Sequence, residues 1–137
     1  MTPPHTQTGE PLAVIQVTRK TLSASGLQKT GHILDPKNQK AGGIRPAAWV
    51  VADLAALAPF CRGGPAVGRC GMPIGESPAA AAEVFSTAFL LLSRNDVQSC
   101  CRRYPGIEAW LIEGEPGNTV VHFTSGKETQ CEFIADY

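Results

Sequence analysis

An α+β domain, with helices packed on one face of an antiparallel sheet, is predicted by three features of this 137-residue chain. A helix signal opens at Ser77-Pro78, and a second follows at Asn95. Beyond Pro105-Gly106, three runs rich in strand formers are separated by the turn sequences Glu115-Pro116-Gly117-Asn118 and Ser125-Gly126-Lys127. Hydrophobic residues make up 43% of the chain, enough for one core in a chain too short to expect two.

From the N-terminus, residues 1–10 are polar, carry two prolines and lack an apolar stripe, which predicts a flexible tail ahead of a single domain over 11–137. Leu12 to Val17 has strand composition. A second strand is expected from Lys29 to Leu34, with Ser23-Ala24-Ser25-Gly26 in the connection. Asp35 to Arg45 is polar, contains Pro36, Gly42 and Gly43, and reads as a loop. Arg45-Pro46 is expected to open a helix that turns Val50, Leu54 and Leu57 inward and stops near Pro59. The Gly- and Pro-rich stretch Cys61 to Gly75 reads as loop, with room for one short strand near Ala66 to Cys70.

The second half has clearer signals. Ser77 is an N-cap with proline at the first helical position, where its missing N–H costs nothing. From Ala79 to Ser93, the residues Ala81, Val84, Phe85, Ala88, Leu91 and Leu92 form a stripe opposite Glu83, Ser86 and Thr87. In the next helix Asn95 is the expected cap, with Gln98 in capping-box position, and Val97, Cys100, Cys101 and Tyr104 recur at helical spacing. Arg102 and Arg103 suit its last turn.

A three-stranded meander is expected to close the chain. Turns centred on Pro116-Gly117 and on Ser125-Gly126-Lys127 set Ile112 opposite Val121, Trp110 opposite Phe123, Val121 opposite Cys131 and Thr119 opposite Phe133. Period-two alternation then puts Trp110, Ile112, Val121, Phe123, Cys131 and Phe133 on the core face. Leu111, Glu113, Val120, His122, Gln130, Glu132 and Ile134 fall on the outer face.

Net charge is zero but unevenly divided. Arg19, Lys20, Lys29, Lys37, Lys40 and Arg45 face only Asp35 in their segment, whereas Glu108, Glu113, Glu115, Glu128, Glu132 and Asp136 face only Lys127 in theirs. The simplest reading is mutual complementation within the fold. The basic segment 19–45 lacks interleaved aromatics and any nucleic-acid-binding motif, so a nucleic-acid partner is not expected. No run is long and apolar enough for a membrane span, and no secretory signal pattern is present.

Five cysteines without such a signal argue for reduced thiols and a cytoplasmic setting. Cys100, Cys101 and Cys131 fit core positions. Cys61 and Cys70 flank arginines in a flexible loop, so they are the candidates for reactive thiols. No C-x-x-C pair, zinc-finger spacing, phosphate-binding glycine motif or serine nucleophile elbow occurs, so neither metal nor cofactor is expected. The one enzyme-like constellation is His32 as a base with Lys29 and Arg45, suited to a phosphate-bearing or nucleic-acid substrate.

The order strand, strand, helices, strand, strand, strand resembles that of sensor and scaffold modules such as PAS, longin and roadblock domains. Over the second half, Gly71-Met72-Pro73-Ile74, the Ala-rich helix and Glu113-Gly114-Glu115 are similar to a roadblock pattern. Such folds carry many functions, so the resemblance bears on architecture alone; because no catalytic site assembles in the sequence, the expected function is a non-catalytic interaction or regulatory module whose partner is a protein or a second copy of the chain. With Leu111, Val120 and Ile134 as an apolar patch on the outer sheet face, the expected assembly is a homodimer.

Overall fold

The computed structural model describes residues 13–26, 33–53, 77–113, 119–124 and 128–133. Its elements are β1 (Ala13–Gln16), β2 (Thr21–Gly26), β3 (Ala47–Ala52), α1 (Pro78–Ala88), α2 (Arg94–Arg103), β4 (Ile107–Glu113), β5 (Thr119–Phe123) and β6 (Gln130–Phe133). The α+β class holds. Antiparallel strands in the order β2-β3-β4-β5 form one sheet, and β1 pairs with β6 in a separate antiparallel ribbon.

Strands β3 and β4 lie at the centre of the sheet and are apolar on both faces because both faces are covered. On one face Ala48, Val50, Ala52, Ile107, Ala109 and Leu111 meet Ala81, Ala82, Phe89 and Leu90 of the α1 region and Val97 and Cys101 of α2. On the other face Ala47, Trp49, Val51, Trp110 and Ile112 pack with Ile15, Val17, Leu22, Val120 and Cys131. The helices therefore pack on one sheet face, as expected, and the ribbon side of the molecule closes the other.

Residues 47–52 are a strand where a helix was expected from Arg45-Pro46. Trp49, Val50 and Val51 are strand formers, and a run buried on both sides carries no period by which helix and strand can be told apart. Leu54 and Leu57 lie outside the described residues. Strand β2 occupies the stretch assigned to a connection; of the second strand expected over Lys29 to Leu34, residues 29–32 lie outside the described residues and Leu34 forms an isolated bridge with Ala41. Hydroxyls explain so polar a strand. Ser25 Oγ lies 2.9 Å from Ser86 Oγ and 3.1 Å from Thr87 Oγ1, and Ser23 Oγ donates to Glu83, so β2 joins α1 through a polar seam. The same seam buries Ser86 and leaves Val84 exposed, the reverse of the expected stripe.

Ser77 caps α1, its Oγ accepting from the Ala80 N–H at 3.3 Å, with Pro78 at the first helical position. The helix stops at Ala88, short of the expected Ser93. Ser93 rather than Asn95 caps α2, accepting from the Asp96 N–H at 3.2 Å and donating to Asp96 Oδ2 at 2.6 Å. Arg102 and Arg103 occupy its last turn, and Gly106 supplies the left-handed φ of 93° that releases the chain into β4.

The meander is corrected in two respects. Leu111 lies opposite Val121, Trp110 opposite His122 and Ile112 opposite Val120, one residue away from the expected register. Residues 114–118 form an odd-length connection between Glu113 and Thr119, and connection length decides which side chains share a face. The third strand leaves the sheet: β6 pairs with β1, so Cys131 lies opposite Ile15 instead of Val121. Among the described residues, no helix is long and apolar enough to cross a membrane.

Candidate functional site

Of the residues singled out from sequence, Leu111 is fully buried beneath the helices and Val120 turns toward the opposite face, among Trp49, Trp110 and Ile112. An exposed patch joining them does not exist. Ile134 lies outside the described residues, as do His32, Lys29, Cys61, Cys70 and the proposed tail over 1–10. Arg45 is 3% exposed and serves the fold: its Nη2 donates to the Leu92 carbonyl at 2.6 Å and lies 3.4 Å from Glu113 Oε1. Burial pulls the Arg45 guanidinium below its usual pKa, against the opposing pull of Glu113. Its Nε and Nη1 are buried without a hydrogen-bond partner. Arg94 also binds Glu113, through Nε at 2.9 Å and through Nη2, so one carboxylate ties two arginines to the end of β4.

A second polar cluster gathers around Glu108, which β4 projects from an otherwise apolar run toward the ribbon. Both of its carboxylate oxygens accept from the Thr129 N–H, at 2.9 and 3.0 Å, and Oε1 lies 2.8 Å from His122 Nε2. Lys20 Nζ donates to Thr129 Oγ1 at 3.0 Å and sits 3.9 Å from Glu108 Oε2. The His122 ring stacks on Trp110, with centroids 4.7 Å apart and planes 8° from parallel. Burial pushes the Glu108 carboxyl up, but the bonds from His122 and Thr129 together outweigh it and hold the carboxyl below its usual range.

This arrangement orients a histidine but gives it no nucleophile: among the described residues no serine, threonine or cysteine is hydrogen-bonded to His122. The carboxylate instead fastens the entry to β6 onto β4. The solvated position read for His122 from the sequence holds, since the residue is exposed, but Glu108 as its partner was overlooked. The available signal was one charge inside the run Ile107 to Ile112, since a carboxylate in a doubly buried strand must find donors.

Of the three thiols expected in the core, Cys101 is fully enclosed and Cys100 and Cys131 lie at its margin. Cys101 is buried and its thiol is pushed up to about 12, mainly by burial, with Cys100 and Glu108 adding to the rise. Cys100 and Cys131 are half-buried, and burial raises both. Alkylation under native conditions is therefore expected to leave Cys101 unmodified and to modify Cys100 and Cys131 slowly, as read by mass spectrometry of peptides over time. Rapid, equal modification of all three would contradict this packing. Among the described residues no group of three or more His, Cys, Asp or Glu side chains could hold a metal ion.

The third feature is a hairpin. Gly42 N–H donates to the Ile33 carbonyl at 3.0 Å and Asp35 N–H to the Lys40 carbonyl at 3.0 Å, closing a loop over 35–40. Inside it Asp35 accepts from the Lys37 N–H and from Asn38 Nδ2, both at 2.8 Å, and Asn38 Oδ1 accepts from the Lys40 N–H at 2.8 Å. Gln39 takes a left-handed φ of 58°, held by its N–H on the Asp35 carbonyl at 2.7 Å. Residues 36–42 are all exposed. The result is a fixed finger that presents Lys37 and Lys40, flanked by the exposed side chains of Leu34 and Ile44.

Two adjoining clefts mark the ribbon. One of about 370 Å³ is lined by Val14, Gln16, Gln130, Cys131 and Glu132. The other, of about 360 Å³, is lined by Gln16, Thr18, Lys20, Glu128, Thr129 and Gln130. They share Gln16 and Gln130, forming a continuous furrow along the paired strands. No protein-family model matches this chain, and no curated protein is detectably similar to it.

Proposed function

We propose that this protein is a non-catalytic interaction module of scaffold or regulatory type, with the hairpin over 33–42 as its contact element. The observation that carries this reading is the finger itself. A run of exposed residues is ordinarily left to solvent, yet this one is stiffened by a ring of backbone and side-chain hydrogen bonds and holds a non-glycine residue at positive φ. A preorganised loop loses little entropy on binding, which favours its use as a contact. The polar groups most suited to chemistry support the same reading, because Glu108 and Arg45 are occupied in tying elements of the fold together.

The test is a photo-crosslinking amino acid at position 39, incorporated into the protein in its native cells. The expected result is a discrete crosslinked species, lost when Lys37 and Lys40 are both replaced by alanine, and absent when the crosslinker is placed at Arg102 on α2. Equal adducts from positions 39 and 102, or none from 39, would overturn the finger as contact element.

A further inference from the structure

We propose that the finger's partner is a second copy of this chain, with Lys37 and Lys40 of one molecule seated in the furrow of another against Glu128 and Glu132; this rests on the interaction-module reading. Charge accounting points to these two glutamates. Among the described carboxylates, Asp35, Glu83, Asp96, Glu108 and Glu113 hold hydrogen bonds or ion pairs, and Asp53 also has a partner. Glu128 and Glu132 hold none, and both line the furrow.

Of the opposite charges, Lys20 and Arg45 are already matched to Glu108 and Glu113 inside the fold. Lys37 and Lys40 are left exposed, and no ion pair joins them to Glu128 or Glu132 within the molecule. Of the described bases over 19–45, Lys20 and Arg45 are thus used internally; Arg19, Lys37 and Lys40 are exposed without an ion pair, and of these Lys37 and Lys40 share the finger.

Apolar surface follows the same pattern. Leu34 and Ile44 at the finger's base are 57% and 64% exposed, and Val14, which faces Glu132 across the ribbon, is 55% exposed. A contact between copies would bring these three side chains together beside the four charges. Furrow amides Gln16 and Gln130 and the hydroxyl of Thr18 provide donors and acceptors for the finger's exposed backbone. Finger and furrow are different patches, so one copy's finger leaves its own furrow open for another.

Analytical ultracentrifugation of the purified full chain tests this. The wild type is expected to sediment above monomer mass at high concentration and low salt, and to return to monomer as salt is added. Lys37→Ala/Lys40→Ala and Glu128→Gln/Glu132→Gln should each be monomeric and folded by circular dichroism. Mixing the two should restore a species, because the first keeps an intact furrow and the second an intact finger. Arg102→Ala/Arg103→Ala, which neutralises exposed charge elsewhere, should associate like wild type. A wild type that stays monomeric, or association indifferent to both charge pairs, overturns the proposal. If position 39 still crosslinks to a different protein, the interaction-module reading survives that failure; if it crosslinks to nothing, both fall.

Discussion

Leu111→Glu is expected to abolish cooperative folding. The side chain is fully buried on the helix-facing side of β4, beside Val50, Ala109 and Val97 in the larger core cluster, where a carboxylate would have no partner. Leu111→Ala removes only packing, and cavity formation at such a site costs about 2–5 kcal/mol. A total stability of roughly 5–15 kcal/mol is ordinary for a single domain, so even the alanine variant should show a large fall in its urea midpoint by circular dichroism. Val120→Glu offers the contrast. Val120 is only partly buried, at the margin of the ribbon-side cluster, and its replacement should be tolerated better. A folded Leu111→Glu protein with altered oligomeric state would restore the outer-face assignment made from sequence and refute the register described above.

Glu108→Ala is expected to be the most damaging polar substitution, and its effect should depend on pH. The Thr129 N–H loses its acceptor while buried, at a cost of about 1–3 kcal/mol, and the bond with His122 goes as well. Glu108→Gln keeps an acceptor oxygen for Thr129 and should cost less. Because the folded carboxyl is held below its ordinary value of 4.5, Glu108 stabilises the fold fully above that value. The contribution is lost as pH falls through the lowered folded-state pKa. Urea midpoints taken from neutral pH downward should therefore converge for wild type and Glu108→Gln in strongly acidic solution, and stand apart near neutrality. Parallel profiles would show that the carboxylate is not a clamp between β4 and the entry to β6.

Local signals in the second half were legible for physical reasons that operate within a few residues. Ser77-Pro78 needs only its own helix to act as a cap, and Val97, Cys100, Cys101 and Tyr104 needed only helical spacing to reveal a buried stripe. The polar loop over 35–45 was legible too, although nothing in its composition disclosed that Asp35 and Asn38 would knit it into a finger. At α1, Val84 and Ser86 exchanged their expected places because the neighbour across the interface is a strand bearing Ser23 and Ser25. A helix's own periodicity does not tell it whether the opposing surface is apolar or lined with hydroxyls.

By itself, then, the sequence determined the α+β class, the start of α1 at Ser77-Pro78, the existence of α2 with its start two residues late, the β4–β5 hairpin and the core character of Cys101, all set by propensity, capping and short-range spacing. Only the tertiary structure decided that 47–52 is a central strand, that Leu111 faces the helices, and that β6 leaves its neighbour to pair with β1. These outcomes share one cause. With helices on one side of the sheet and the ribbon on the other, the central strands have no solvated face, and alternation then gives no information on register or direction. Two things resolve the choice: locally, the odd number of residues between Glu113 and Thr119, and at long range, the donors from Thr129 and His122 that the lone carboxylate of Glu108 requires.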